Sequence, residues 1–227
     1  IIKYNKDLSN AIHYIKLNKR LFNKALLYYF ILYCIINSSK EDTSNPSIIL
    51  TINGTGNQNI LSDNRWYQYT DSIPDKIYVN NIAQDITDKI VYNLTQQINN
   101  ITMEWIRPIR NCEYMFYGLS NITYIDLSNF DTSQVTNMNC MFSGCSSLIS
   151  LVLSNFDTSR VTNMNIMFSR CSSLISLNLS NFDTSRVTNM TSMFYGCSSL
   201  ISLNLSNFNT SQVRCMQCMF YGCISLI

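Results

Sequence analysis

Cysteine is the residue type in this sequence with the widest possible chemistry, because thiols form disulfides and bind soft metals. The chain has nine cysteines in 227 residues, and only Cys215-x-x-Cys218, with Cys223 further on, has a metal-like spacing. Structural zinc needs four ligands, and no histidine or second C-x-x-C completes the set. We predict no metal site and interpret the recurring cysteines as small core residues. An incidental disulfide, Cys140–Cys145 or Cys218–Cys223, remains an alternative.

Aspartate is the second residue type with possible chemistry. Asp131, Asp157 and Asp183 recur every 26 residues, and Asn209 continues the series. Carboxylates stacked about 5 Å apart could hold Ca²⁺. Each repeat supplies only one such carboxylate, however, and the sequence has no GGxGxD calcium pattern. We interpret these residues as turn caps, with calcium binding as the alternative.

The scarcity of histidine argues against an enzyme, and the distribution of charge argues against a nucleic-acid-binding protein. The only histidine is His13, so no Ser-His or Cys-His nucleophile can form in the rest of the chain. Six of the sixteen basic residues fall within the first 24 positions, and the chain from Lys40 onward is slightly acidic. The chain from Lys40 onward therefore lacks the basic face that nucleic-acid binding requires. We expect no catalytic residue, no cofactor and no nucleic-acid partner.

The first 36 residues form a basic leader followed by an apolar segment. The twelve residues ALLYYFILYCII, at positions 25–36, would rise only about 18 Å as a helix, too short to span a bilayer. A cleavable signal peptide is the favoured interpretation, and a signal anchor or a buried amphipathic helix are the alternatives. In either export case the body lies outside the cell. The first residue is isoleucine, so we expect a fragment.

From residue 111 onward the sequence repeats itself every 26 residues. One unit reads CSSLISLVLSNFDTSRVTNMNIMFSR, from Cys145 to Arg170. Repetition at this period is typical of stacked-repeat folds. Leu148, Leu151 and Leu153 match the L-x-x-L-x-L strand of leucine-rich repeats, and the run from Val161 to Phe168 has helical spacing. We therefore predict an α/β repeat, namely a leucine-rich-repeat solenoid with one short strand and one short helical or 3-10 turn per coil.

The domain organisation follows from this repeat. We predict a leader at 1–36, a linker at 37–46, an N-terminal cap at 47–110 and about four coils at 111–227, cut short at the C-terminus. In the cap, residues 47–52 and 59–61 suggest a hairpin, and 76–79 and 100–105 suggest further strands. A solenoid needs its first apolar edge covered, which explains the cap.

Alternation along the strands predicts which side chains face solvent and which face the core. The predicted ligand-facing strip consists of Ser150, Val152, Ser154, Ser176, Asn178, Ser180, Ser202, Asn204 and Ser206. The predicted structural ladder consists of Cys145, Cys171, Cys197, Cys223, Phe142, Phe168, Phe194 and Phe220. N-x-S/T sequons at Asn53, Asn93, Asn100 and Asn121 are possible glycosylation sites if the source is a eukaryote.

MFSGCSSLISL at 141–151 and MFYGCSSLISL at 193–203, each followed by NFDTS or NFNTS, resemble the repeats of BspA-like leucine-rich-repeat surface proteins. ILTINGTGNQNIL and NNITMEW resemble the leader module of that family. The departures are Leu119 for the ladder cysteine, Arg170 for glycine, and Arg214-Cys215 for Thr-Asn.

The resemblance implies a non-catalytic protein, exported to the cell surface or secreted, whose repeats bind host or other extracellular proteins in adhesion. We expect membrane attachment only through the leader or through an anchor outside this sequence. An intracellular repeat scaffold for protein–protein interaction is the alternative.

Overall fold

The computed structural model describes residues 45–62, 73–85 and 91–227. These residues belong to one compact unit, Asn45–Ile227. The predicted leader at 1–36 and most of the predicted linker lie outside the described residues. Within the described ranges, no helix has the length and apolar character needed to cross a bilayer.

Eight strands form in the described residues. They are β1 Ser47–Asn53, β2 Gly56–Asn59, β3 Lys76–Val79, β4 Ile82–Gln84, β5 Val91–Leu94, β6 Ile98–Glu104, β7 Ile122–Asn129 and β8 Ser150–Val152. Six of them make a mixed sheet in the order β4-β3-β6-β1-β7-β8, and β2 pairs with β5 in a separate sheet. Only the β7–β8 pair is parallel; the other pairs are antiparallel.

Strand β1 lies at the centre of the mixed sheet because its alternating apolar residues bury one whole face. Leu50 has Ile101 of β6 as its partner on one side and Ile125 of β7 on the other, and all three side chains are buried. The expected hairpin between 47–52 and 59–61 is therefore wrong. β1 buries more apolar surface against β6 and β7 than the short polar segment GNQN of β2 could offer.

The predicted α/β leucine-rich-repeat solenoid is also wrong. The structure is a β-rich domain with an open mixed sheet of six strands, and its described residues form no α-helix and no 3-10 helix. Only β7 and β8 are strands within residues 111–227. The remaining repeats are runs of turns joined by isolated parallel bridges, such as Asn137 to Asn163 and Asn163 to Asn189.

The backbone explains why the helical spacing from Val161 to Phe168 does not give a helix. The N–H groups of Met164, Ile166 and Phe168 donate to carbonyls of the following repeat at 2.9–3.0 Å, so they cannot close helical bonds. Ile166 also has φ of +58° and Arg170 has φ of +60°, and left-handed residues interrupt a right-handed helix. Arg170 thus adopts the left-handed turn that glycine forms in the neighbouring repeats.

The same alternating bonds join every pair of neighbouring repeats within residues 111–227, which we call the repeat stack. At each of the four junctions, four N–H groups from one repeat donate to carbonyls of the next at 2.6–3.0 Å. Phenylalanine rings stack across these junctions with centroids 5.5–5.7 Å apart. The rings involved are Phe116, Phe142, Phe168, Phe194 and Phe220.

The recurring cysteines lie beside this phenylalanine column. The thiols of Cys145, Cys171 and Cys197 are buried and donate to carbonyls of Phe116, Phe142 and Phe168 at 3.0–3.2 Å. Cys223 makes the equivalent contact with the Phe194 carbonyl. Each thiol bonds the backbone about one repeat earlier, so these cysteines fill the core and also link repeats.

Threonine hydroxyls also link neighbouring repeats. Thr158 is 1% exposed, and its hydroxyl donates to the Asp183 carbonyl at 2.9 Å while accepting from the Asp183 N–H at 2.8 Å. Thr132 and Thr184 make the same pair of bonds to Asp157 and Asn209. A single hydroxyl therefore satisfies both backbone groups of one residue in the next repeat.

Replacing Thr158 by valine keeps the shape of the side chain and removes both bonds. We expect Thr158→Val to lower the free energy of unfolding by about 1–3 kcal/mol, because the two backbone groups of Asp183 lose their partner. Urea denaturation checks this value, with Thr158→Ser expected to restore most of the loss. Thr162→Val is the matched control, because Thr162 is exposed and its 3.3 Å bond to Thr136 faces water. Equal losses in Thr158→Val and Thr162→Val would contradict the proposed role.

Candidate functional site

The predicted ligand-facing strip lies along one edge of the repeat stack. Seven of its nine residues are exposed, and the two in β8, Ser150 and Val152, are half-buried. The structure brings these residues into neighbouring repeats, with a parallel bridge between Ser176 and Ser202. We call the nine residues the polar strip. It presents hydroxyl and amide groups with no charged side chain among them.

The two asparagines of the polar strip are held by their own local backbone. The Oδ1 atoms of Asn178 and Asn204 accept from the N–H groups of Ser180 and Ser206 at 3.1 and 3.0 Å. This local bond is typical of asparagine in turns. It fixes each side chain, and both amide N–H₂ groups are left to donate to a partner.

An apolar row beside the polar strip was missed by the sequence analysis. Ile175 is 42% exposed and Ile201 is 48% exposed, while Ile149, at the same position one repeat earlier, is half-buried. Strict alternation would place Ile149 on the same face as Leu151. Ile175 and Ile201, however, lie in repeats that form no regular strand, so strand alternation does not fix where these side chains point. The recurrence of the isoleucine at the 26-residue period was the signal that could have identified this row.

The exposed part of the polar strip does not extend to β7, the strand of the repeat stack that pairs with β1. In β7, the positions equivalent to Ser150 and Val152 are Tyr124 and Asp126, which are paired with them in register. Tyr124 is 8% exposed and Asp126 is 3% exposed, and the Tyr124 hydroxyl lies 3.3 Å from the Asp126 carboxylate. The accessible part of the strip therefore belongs to the repeats that follow β7.

The recurring aspartates cap turns, as the sequence analysis proposed. Asp131, Asp157 and Asp183 each accept a bond from the N–H group two residues later at 2.8–2.9 Å. Bonds from Ser185, with a smaller contribution from the charge of Arg186, lower the pKa of Asp183. Among the described residues, no group of three or more His, Cys, Asp or Glu side chains is placed to hold a metal ion.

A ladder of polar side chains, also missed by the sequence analysis, follows another edge of the repeats. The Glu113 carboxylate accepts from the amides of Asn137 and Asn139 at 3.0 and 2.7 Å, and Asn165 donates to Asn139 at 3.0 Å. These groups bond each other rather than projecting toward a ligand. The ladder therefore stabilises the stacking of repeats.

The eight cysteines within the described residues are free thiols, including the four considered above for disulfides. Burial raises the pKa of Cys145 and Cys197 to about 12 and that of Cys171 well above its usual value. A buried thiol with a raised pKa is a poor nucleophile. Cys218 is the exposed exception.

The four sequons differ in their surroundings. Asn53 and Asn93 are exposed. Asn100 is half-buried and accepts from the Thr51 hydroxyl at 3.2 Å, while the Asn121 amide donates to Gln58. Glycosylation stays a prediction, and accessibility favours Asn53 and Asn93 over the other two.

Thiol labelling tests this division of the cysteines. In a chain carrying Cys34→Ser, we expect iodoacetamide at pH 8 to modify Cys218 first. Cys145, Cys171 and Cys197 should react only after denaturation, because they are buried and protonated. Peptide mass spectrometry over time checks the order, and Cys218→Ser should remove the fast phase. Rapid labelling of Cys171 in the folded protein would contradict the described core.

A scan against protein families finds one match, described as "Mycoplasma protein of unknown function, DUF285", over residues 110–226. No curated protein and no solved structure matches the chain. The matched region covers the whole repeat stack apart from its last residue and amounts to just over half of the sequence. The chain therefore belongs to the DUF285 family.

Proposed function

We propose that this protein is a non-catalytic binding protein of the cell surface, and that its polar strip contacts proteins outside the cell. The observation that supports this most directly is the exposure of Ser176, Asn178, Ser202 and Asn204 in neighbouring repeats, beside the exposed row of Ile175 and Ile201. Regularly spaced hydroxyl, amide and apolar groups provide many small contacts to one partner.

The arrangement of the reactive groups also supports binding over catalysis. Cys145, Cys171 and Cys197 are buried thiols with raised pKa values. Asp157 and Asp183 use their carboxylates to cap turns. General acid–base catalysis needs a titratable group directed at a substrate, and these side chains are committed to the fold.

The proposal of surface location rests on the sequence. The basic leader and the apolar run at 25–36 favour export, and the repeats resemble those of BspA-like surface proteins. The same polar strip could serve an intracellular scaffold, which is the second candidate. The location of the protein separates the two.

Substitution on the polar strip tests the binding surface. We expect Asn178→Arg/Asn204→Arg to reduce binding of the purified chain to cultured epithelial cells at least tenfold, because two bulky charges would oppose contact with an uncharged surface. Flow cytometry with labelled protein measures the binding. Thr136→Arg/Thr162→Arg is the matched control, because it adds the same charge at exposed positions of two neighbouring repeats away from the strip. Equal binding by both variants would contradict the assignment of the strip.

Antibody staining of intact cells tests the location. We expect signal on unpermeabilised cells of the source organism, because the leader directs the body outward. Protease treatment of the same intact cells should remove that signal. Signal that requires permeabilisation would contradict export and would favour the intracellular scaffold.

A further inference from the structure

Ile175 and Ile201 are the only large apolar side chains from residue 118 to residue 215 that are substantially exposed. The Ile201 N–H donates to the Ile175 carbonyl at 3.1 Å, so the two side chains stand in adjacent repeats at a fixed separation. Covering their exposed apolar area with another surface would gain free energy, because that area would be removed from water. The row and the polar strip therefore form one candidate contact surface.

The charge of this surface restricts its partner. Residues 148–154, 174–180 and 200–206 read LISLVLS, LISLNLS and LISLNLS, without a single ionisable side chain. A surface whose charges all have one sign repels a copy of itself, whereas an uncharged surface does not. In a two-fold symmetric contact the same surface must be complementary to itself, and isoleucine against isoleucine meets this condition.

The asparagines meet the same condition through hydrogen bonding. Asn178 and Asn204 each use one Oδ1 lone pair for the N–H group of a nearby serine. Each amide retains two N–H donors and a second lone pair. Amides can therefore bond amides, and the hydroxyls of Ser176 and Ser202 can both donate and accept. Every exposed group on the surface is able to pair with its own kind.

We infer that the polar strip and its isoleucine row also bind a second copy of the same surface, so that the protein associates with itself in a homotypic contact. This inference rests on the proposed function, because it names one partner of the same strip. Since no charged group lies on the surface, added salt should not weaken the association.

Sedimentation velocity of the full chain over a range of concentrations tests the inference. We expect a concentration-dependent monomer–dimer equilibrium whose dissociation constant is unchanged between low and high salt. Asn178→Asp/Asn204→Asp should weaken association at least tenfold at low salt through repulsion between like charges. These variants should still fold, because aspartate Oδ1 can accept the same serine N–H bonds. Asn178→Lys/Asn204→Lys should weaken association in the same way.

Mixing the two charged variants provides the decisive comparison. An equimolar mixture of the aspartate and lysine variants should recover association at low salt, because opposite charges then face each other. Thr136→Lys/Thr162→Lys, at exposed positions away from the strip, should dimerise like the unmodified chain.

A chain that stays monomeric at every concentration would overturn the inference. So would a dimer that the strip variants do not weaken and Tyr221→Asp abolishes, because the contact would then lie at the exposed Tyr221 instead. In either case, loss of cell binding in Asn178→Arg/Asn204→Arg would still support the proposed function. The two proposals can therefore fail separately.

Discussion

The hydrogen bonds between each repeat and the next are the interaction on which the rest of this structure depends. Alternate N–H groups, such as those of Met164, Ile166 and Phe168, donate out of their own repeat to carbonyls one period later. Buried backbone groups need partners, and these bonds supply partners without a helix or a continuous sheet. They also fix the separation of the repeats, so that each position in the sequence forms a column in space.

Side-chain contacts between neighbouring repeats depend on that fixed separation. Phenylalanine rings stack at 5.5–5.7 Å, and Thr158 reaches both backbone groups of Asp183. The thiol of Cys171 reaches the Phe142 carbonyl at 3.2 Å. Each of these contacts joins residues 25 to 29 apart in sequence, so none can form within a single repeat. The stability of one repeat therefore depends on its neighbours.

The stacking of the repeats also decides which reactive side chains are buried and which polar side chains stay exposed. The groups with the greatest intrinsic reactivity, the thiols of Cys145, Cys171 and Cys197, are buried in the core, where their pKa values rise. The edge carrying Ser176, Asn178 and Ile175 remains exposed and carries no charge. Such an edge is suited to contact with another macromolecule, and we propose that this is its use.

The sequence by itself determined the 26-residue period and the identity of the columns. Identical residues at a fixed spacing must occupy equivalent places when repeats stack, so the spacing of Phe142, Phe168 and Phe194 is sufficient to indicate a column. Exposure of Ser154 and Asn178 was also predictable, because leucines alternate with them. The turn-capping role of Asp157 followed from the chemistry of short polar side chains beside a backbone N–H.

Only the tertiary structure decided the backbone path between the columns. The spacing from Val161 to Phe168 suits a helix, but the N–H groups of Met164 and Phe168 bond the next repeat, and the left-handed conformation of Ile166 breaks the helix. The pairing of β1 with β6 and β7 likewise joins segments about 50 to 80 residues apart, which local patterns do not encode. Ile175 lies in a repeat that forms no regular strand, so alternation in the sequence does not decide its exposure. Sequence periodicity specifies which residues are equivalent, whereas long-range hydrogen bonds decide the conformation they adopt.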